Sequence, residues 1–224
     1  SRDGLREWTA GLGVTLTPEG GTLRVWSGAA TSVELVVFDD TDLDWITDAI
    51  ALEAGASGVW SVTTPLLRPG TRYAIRVDGP HGPGNTFNPG SLLLDPYSKG
   101  LVNPHFEDWR SVVVDGGFDW GGVGKPNVPL DRTVLYEGHL KGMTKRHPDV
   151  PPALHGTYAG LAHPAMIEHF RSLGVTSIEL LPVHAFETEP RLLQHGLVNY
   201  WGYNTLNFFS PHAPYATEAS RKEG

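Results

Sequence analysis

Residues 199–205 combine aromatic rings, amides and one glycine in a pattern that suits the binding of a sugar. The run reads Asn-Tyr-Trp-Gly-Tyr-Asn-Thr and closely follows a segment that is apolar on both faces. A Tyr or Trp ring can stack on the C–H face of a pyranose, while an O–H, an N–H or a neighbouring amide bonds a hydroxyl at its rim. Gly202 would let the backbone bend or approach closely between two bulky neighbours. A loop that merely fills space can have the same composition, so the run alone leaves both interpretations open.

Polar residues on two predicted strands could also carry chemistry. Glu137 and His139 are two positions apart, so they would project from one face of a strand that begins at residue 133. Such a pair could act as acid and base, or it could form a buried His–carboxylate network. Glu179 lies in the middle of the next strand, and His184 follows that strand, where it could line a pocket.

Other catalytic and cofactor motifs are missing from the sequence. The ten His residues show no metal-binding spacing such as His-Glu-x-x-His, and the chain has no cysteine. There is no Gly-x-Ser-x-Gly elbow. Gly124 and Lys125 match the end of a phosphate-binding loop, but Pro126 replaces the hydroxyl residue that would hold Mg²⁺. Asp119 also replaces the first glycine of that loop, so we reject a phosphate site and predict no metal site.

Composition and charge limit the classes of partner. Hydrophobic residues make up 40% of the 224 residues and charged residues 19%, which is enough apolar material for a packed core. The net charge of −8 argues against a nucleic acid or an anionic membrane surface as the partner. No apolar stretch approaches the roughly 20 residues that span a bilayer. Residues 1–4, Ser-Arg-Asp-Gly, do not resemble a signal peptide, so we expect a cytoplasmic protein.

Up to about residue 115 the pattern indicates an antiparallel β-sandwich. Four segments alternate or are apolar in the manner of strands, and clusters of turn residues separate them. The predicted strands are residues 22–26, 33–38, 59–63 and 72–77. Trp26 and Trp60 fall within these strands and are predicted to be core residues. Trp45 lies in a polar loop, which makes it the best candidate for an exposed stacking platform.

From about residue 133 the pattern changes to alternating strand and helix. A strand is predicted at 133–137, and the apolar segment 175–183 is typical of a strand buried on both faces of a parallel sheet. Between them, Pro164 suits the first position of a helix that Gly174 would end. One face of that helix would carry Met166, Ile167, Phe170 and Leu173. The order strand, helix, strand predicts a βαβ unit.

A series of short segments in both regions matches one family in order and spacing. The segments are residues 72–80 and 87–97 in the first region, and 136–144, 147–149, 156–158, 174–183, 189–192 and 199–204 in the second. With these segments the chain resembles the bacterial glycogen debranching enzymes, the isoamylase-like branch of glycoside hydrolase family 13, over nearly its whole length. The family usually has alanine where Gly138 stands here, and a glycine would loosen that strand slightly.

The resemblance implies a fold and a reaction. Residues 1–115 resemble the family's N-terminal β-sandwich, a carbohydrate-binding module of family 48. Residues 133–224 resemble the first part of a (β/α)8 TIM barrel, and residues 116–132 would be the linker. The full-length enzyme is expected to hydrolyse α-1,6 branch linkages in glycogen or another branched α-glucan with retention of configuration, and to need no organic cofactor. Retention requires a carboxylate nucleophile and an acid/base about 5 Å apart.

The resemblance also implies roles for individual residues. Tyr203 matches the ring that stacks on the sugar just before the cleaved bond, while Tyr200 and Trp201 would shape the wall of the pocket or the branch subsites. His184 is a further candidate for lining the pocket, because of its position after the second strand. Because the family draws its catalytic acids from later barrel strands, Glu137 is interpreted as part of a structural network.

No segment of the 224 residues resembles the acidic motifs of those later strands. We therefore expect an N-terminal piece that lacks the catalytic carboxylates and is inactive alone, with the missing C-terminal part of the same enzyme as a partner. Two alternatives remain. The parent could be another family 13 enzyme, branching or trehalose-releasing, although the segment 189–192 favours the debranching branch. The chain could also be a non-catalytic glucan-binding fragment.

Overall fold

The computed structural model of the protein describes residues 11–105 and 108–223. The chain divides into two compact units, residues 1–116 and 117–224, and each is considered by itself. Residues 1–4, which were compared with a signal peptide above, lie outside the described part. Within the described ranges, no helix combines the length and the apolar composition needed to cross a membrane.

The first unit is built from two antiparallel sheets. Its strands are β1 (Gly13–Thr17), β2 (Gly20–Trp26), β3 (Ser32–Phe38), β4 (Ile46–Ala51), β5 (Glu53–Ala54), β6 (Val59–Thr64), β7 (Arg72–Asp78), β8 (Gly100–His105) and β9 (Asp108–Val112). One sheet has the order β1-β2-β6-β5 and the other β4-β3-β7-β9-β8. The prediction of an antiparallel β-sandwich is confirmed, and the four predicted strands correspond to β2, β3, β6 and β7.

The main core of this unit lies where the alternating apolar positions of both sheets meet. Leu23 of β2, Leu35 of β3 and Ile75 of β7 are buried in one cluster. The opposite face of β3 is also covered, since Val36 and Phe38 pack in a second cluster. Burial on both sides explains why β3 has a nearly continuous apolar sequence.

Three of the tryptophans of this unit, Trp26, Trp45 and Trp60, differ in how far they are exposed. Trp60 packs against the main core, as predicted. Trp45 is 66% exposed, which confirms the expectation of an exposed ring. The core assignment of Trp26 is wrong, because this residue is 49% exposed. In β2, Leu23 is buried whereas Arg24 is exposed, and strand alternation puts Trp26 on the same face as Arg24.

The second unit mixes short helices with two small sheets. Its elements are β10 (Leu135–Gly138), α1 (Leu140–Thr144), α2 (Tyr158–Leu161), α3 (Pro164–Ser172), β11 (Ser177–Leu180), β12 (His184–Phe186), α4 (Pro190–Gln194), β13 (Thr205–Pro211) and α5 (Glu218–Glu223). β10 pairs with β11 in parallel, and β12 pairs with β13 antiparallel. The parallel pair with α3 between its strands confirms the predicted βαβ unit.

Helix α3 follows the predicted signals, with Pro164 at its first position and a positive φ of 71° at Gly174. Met166 and Phe170 are buried, whereas Ile167 and Leu173 are exposed, so only half of the predicted apolar face is covered. The prediction of one strand at 175–183 is wrong. β11 ends at Leu180, and a new strand begins at His184 beyond a proline that cannot donate a ladder hydrogen bond.

Candidate functional site

The aromatic run at 199–205, hereafter the aromatic loop, connects α4 to β13. Hydrogen bonds of Asn199 close a turn within this loop and also connect the loop to the residues before α4. Its Oδ1 accepts a hydrogen bond of 2.8 Å from the Gly202 N–H, and its Nδ2 donates to the Glu189 carboxylate at 3.2 and 3.3 Å. Its own N–H donates to Thr188 Oγ1 at 3.2 Å. One amide side chain therefore ties the loop to the N-terminus of α4.

Gly202 is the point at which the loop packs onto the rest of the unit. It is buried, with φ at +83°, in the region that favours glycine. A Cβ at this position would lie 3.0 Å from ring atoms of Phe186 and 3.0 Å from the Pro182 carbonyl oxygen. Both the bend and the close approach of the backbone that are predicted at this glycine are present in the structure.

Tyr200 is fixed by a partner far away in sequence, His139. The two rings stack at 4.0 Å between centroids with an angle of 8°, and His139 Nε2–H donates to the Tyr200 carbonyl at 2.6 Å. The other ring nitrogen, Nδ1, accepts from the Gly142 N–H at 3.1 Å. A Cβ at Gly142 would meet the Tyr200 hydroxyl at 2.8 Å, so small size at this position makes room for the ring.

This arrangement corrects the interpretation of Glu137 and His139 as one network. The strand ends at Gly138 and His139 is the N-cap of α1, so the two side chains do not share a strand face. Glu137 is exposed and lies opposite Glu179 in the parallel ladder. Glu179 is likewise exposed, and within the described residues it makes no side-chain hydrogen bond that would give it a structural role in the strand.

The loop presents ring surface to solvent. Tyr203 is 70% exposed, Trp201 57% and Tyr200 43%. Trp201 meets the Tyr200 ring edge to face at 5.3 Å and 86°, which sets the two aromatic planes nearly perpendicular. His184 is exposed in β12 and its ring contacts Phe208 of β13 at 6.0 Å. The structure thus brings Tyr200, Trp201 and Tyr203 together in one loop, while His184 packs on the neighbouring sheet.

The aromatic loop packs, at Gly202, against a layer of stacked rings that could not be identified from the sequence. His212 stacks on Phe186 at 3.6 Å and 9°, and its Nδ1 accepts from the Phe186 N–H at 3.5 Å. Burial, together with the charge of Lys141, lowers the pKa of His212 to about 4, so this imidazole is neutral near pH 7. No spacing in the sequence reveals this contact, because His212 and Phe186 meet only through the pairing of β12 with β13.

Tyr158 joins this layer through its hydroxyl. The hydroxyl donates to the Val183 backbone carbonyl at 2.7 Å and accepts from the backbone N–H of His212 at 3.0 Å. Burial raises the pKa of Tyr158 to about 12. The carboxylate of Glu189 is engaged by Asn199, and in the part of the chain that the structure describes no three His, Cys, Asp or Glu residues are grouped to hold a metal.

Comparison with known proteins supports both the β-sandwich of the first unit and the resemblance to bacterial glycogen debranching enzymes. Residues 11–98 match the carbohydrate-binding module 48 family, the isoamylase N-terminal domain. The chain is 41% identical over 234 residues to the glycogen operon protein GlgX homolog of Mycobacterium tuberculosis, with 92% of this chain and 32% of the relative covered. It is also 41% identical over 232 residues to the glycogen debranching enzyme of Cronobacter sakazakii, with 94% and 34% covered.

Solved structures give the same result. The catalytic module of the multi-modular glycogen-degrading pneumococcal virulence factor SpuA superposes with a TM-score of 0.70 at 27% identity, over 91% of this chain and 32% of that one. Apo pullulanase from Paenibacillus barengoltzii, at 22% identity and a TM-score of 0.71, shares the fold over 91% of this chain and 32% of its own. The chain spans about a third of the length of these relatives. The chain is thus similar to bacterial glycogen debranching enzymes over nearly its whole length, and its residues 11–98 match carbohydrate-binding module 48, the isoamylase N-terminal domain.

Proposed function

We propose that the protein to which this chain belongs hydrolyses α-1,6 branch linkages in glycogen-type glucans with retention of configuration. The names of the relatives, glycogen debranching enzymes and a pullulanase, favour this reaction over branching or trehalose release. The observation that carries the proposal is the aromatic loop, in which Tyr203 and Trp201 are exposed while Asn199 and Gly202 hold the backbone. No organic cofactor is required, and the cytoplasmic location stays a prediction from sequence.

We further propose that residues 133–224 form the first part of a (β/α)8 barrel, with residues 1–115 as the carbohydrate-binding module and 116–132 as the linker. The parallel pairing of β10 with β11, with α3 between them in sequence, supports this assignment. A strand, a helix and a parallel neighbouring strand form the repeating unit of that barrel.

Within the site, Tyr203 stacks its exposed ring on the sugar next to the cleaved bond, and Trp201 and Tyr200 form the wall. His184 lines the same pocket from β12. A retaining reaction also needs two carboxylates about 5 Å apart, and we assign these to parts of the longer protein beyond this chain. The fixed loop contributes orientation, because a sugar held in one pose loses less freedom on the way to the transition state.

The test uses the full-length enzyme and glycogen, with released chains measured by reducing ends and by iodine colour. Tyr203→Ala should lower kcat about tenfold or more, because the stacked ring orients the reacting sugar, whereas Tyr203→Phe keeps the ring and should retain most of the activity. Trp120→Ala is the control, since Trp120 is an equally exposed aromatic residue outside the loop.

Unchanged kcat and KM in Tyr203→Ala would refute the role of the loop. Failure of the wild-type enzyme to release linear chains from glycogen would refute the reaction itself.

A further inference from the structure

Both ring nitrogens of His139 are engaged within the second unit. Its Nδ1 accepts from the Gly142 N–H at 3.1 Å, and its Nε2 lies 2.6 Å from the Tyr200 carbonyl oxygen, which can only accept. The ring is therefore neutral and carries its proton on Nε2. The side chain is also buried, at 9% exposure. With both nitrogens occupied, His139 has no position from which to exchange a proton with a substrate, so a role as acid or base is excluded.

Three aromatic rings surround this imidazole. Tyr200 stacks on it, and Trp201 of the aromatic loop meets it edge to face at 6.1 Å and 80°. Tyr215, which lies 4.7 Å from His212 in the supporting layer, meets it at 6.1 Å and 79°. His139 thus connects the aromatic loop with α1 and with the buried rings.

The aromatic loop is attached to the rest of the unit at three positions, Asn199, Tyr200 and Gly202. Trp201 lies between the second and the third of these positions, and Tyr203 directly follows the third. The attachment at Tyr200 therefore fixes the backbone on the N-terminal side of Trp201. It is the attachment with the greatest separation in sequence, 61 positions, and its loss would free the part of the loop that carries the exposed rings.

We infer that His139 is a positioning residue of the proposed reaction, which holds Tyr200 so that the exposed rings of the aromatic loop meet the sugar in one orientation. The inference rests on the proposed function, because it takes this loop as the surface that contacts the sugar. A loop that is already ordered loses less freedom when a ligand stacks on it. Removing the attachment should therefore weaken substrate binding in the molecules that remain folded.

Two substitutions separate the attachment of the loop from the cap of α1. His139→Asn keeps a side-chain oxygen for the Gly142 N–H, and Asn is a preferred N-cap, but it is shorter than histidine and has no ring to stack. His139→Gln carries an amide N–H as many bonds from Cα as Nε2, so it can still donate to Tyr200. His163→Asn is the matched control, because His163 caps α3 in the same way, with its Nδ1 accepting from the Ala165 N–H at 3.3 Å.

The first measurement is the kinetics of chain release from glycogen by the full-length enzyme. In His139→Asn, KM should rise about fivefold or more and kcat/KM should fall about tenfold or more. A merely structural role would leave fewer active molecules of unchanged affinity, which lowers kcat at constant KM. His139→Gln should recover kcat/KM to within about threefold of the wild type, and His163→Asn should stay within about twofold.

The second measurement is hydrogen exchange in the full-length enzyme without substrate, followed by mass spectrometry of peptides that cover residues 197–205. Exchange in these peptides should be about tenfold faster in His139→Asn than in the wild type, and close to the wild type in His139→Gln and His163→Asn. Peptides from β2 of the first unit are the internal reference. Circular dichroism and thermal unfolding verify that each variant is folded.

Unchanged KM in folded His139→Asn would overturn the inference. A fall in kcat at constant KM that His139→Gln does not reverse would also overturn it, and so would an equal effect in His163→Asn. Failure of the proposed function is separable, since the wild-type enzyme would then release no linear chains from glycogen. The exchange measurement would still test the attachment of the loop, and equal exchange in His139→Asn and His139→Gln would refute it.

Discussion

Replacing Gly202 by alanine tests whether the aromatic loop is held by packing as well as by its turn. The added methyl group would enter a space bounded by the Phe186 ring and the Pro182 carbonyl, both at 3.0 Å. Phe186 has little freedom to retreat, since it is buried and His212 stacks on its face at 3.6 Å. The carbonyl belongs to the backbone and cannot rotate away by itself. The loop must therefore shift, taking Trp201 and Tyr203 with it.

The expected cost has two parts. A residue with a Cβ in the left-handed region costs roughly 1–2 kcal/mol, and the φ of +83° at Gly202 requires that conformation. Forcing a methyl group into a packed site costs about 1–3 kcal/mol more. Gly196→Ala is the matched control, because Gly196 also has a positive φ of 67° but a Cβ there would meet nothing within 4 Å. The difference between the two variants isolates the packing cost.

Hydrogen exchange followed by mass spectrometry measures this difference locally, through peptides that cover residues 197–205. An extra cost of about 1–3 kcal/mol should make exchange in the loop about 5-fold to 140-fold faster in Gly202→Ala than in Gly196→Ala. Exchange in β2 of the first unit serves as the internal reference and should be unchanged. Equal exchange in the two alanine variants would show that Gly202 does not pack against Phe186, and the account of the loop would be wrong.

Two further predictions concern the buried polar groups of each unit. Tyr73→Phe removes the O–H that donates to the buried Asp95 carboxyl at 2.6 Å, so urea unfolding should show a loss of about 1–3 kcal/mol; a change below a few tenths would contradict this hydrogen bond. The pKa of His212 is lowered by burial and by Lys141 from 6.5 to about 4, so the unfolded chain binds the proton first and stability falls as the pH drops from 6.5 towards 4. In His212→Gln the urea midpoint should depend less on pH between 6.5 and 4 than in the wild type. An unchanged pH dependence would refute the assignment of this loss of stability to His212.

The strands that could be predicted are those that bury alternate residues. β2, β6 and β7 supply the core from one face and therefore carry a period of two in their sequences, whereas β3 is buried on both faces and carries a nearly continuous apolar run. β4 was not predicted, because it lies at the edge of its sheet and is exposed at nearly every position. A strand that buries no apolar face leaves no apolar pattern. The break at Pro182 was visible in the sequence, but the continuous apolar run on both sides of it concealed the change from β11 to β12.

The error at Trp26 shows what the same pattern could have revealed. Leu23 and Arg24 alternate between buried and exposed in β2, so the position of Trp26 on the side of Arg24 was already determined. The size and apolarity of tryptophan led to the core assignment, although strand position decides which face a side chain occupies. By contrast, nothing near Tyr200 in sequence indicates His139, because the two residues are 61 positions apart and meet only in the folded unit.

The aromatic surfaces of the two units are organised by the same physical means. In each, glycines leave space for a ring: Gly142 beside Tyr200, and Gly28 beside Trp26. In each, a hydrogen bond to a backbone carbonyl then fixes the aromatic group, from His139 to the carbonyl of Tyr200 and from the Trp26 indole to Ser57. Sugar hydroxyls exchange bonds with water for bonds with protein at little net gain, so stacking on a ring that is already ordered must supply much of the affinity. Substitutions that free the Tyr200 ring without removing it should therefore weaken glucan binding, even where every contacting side chain is retained.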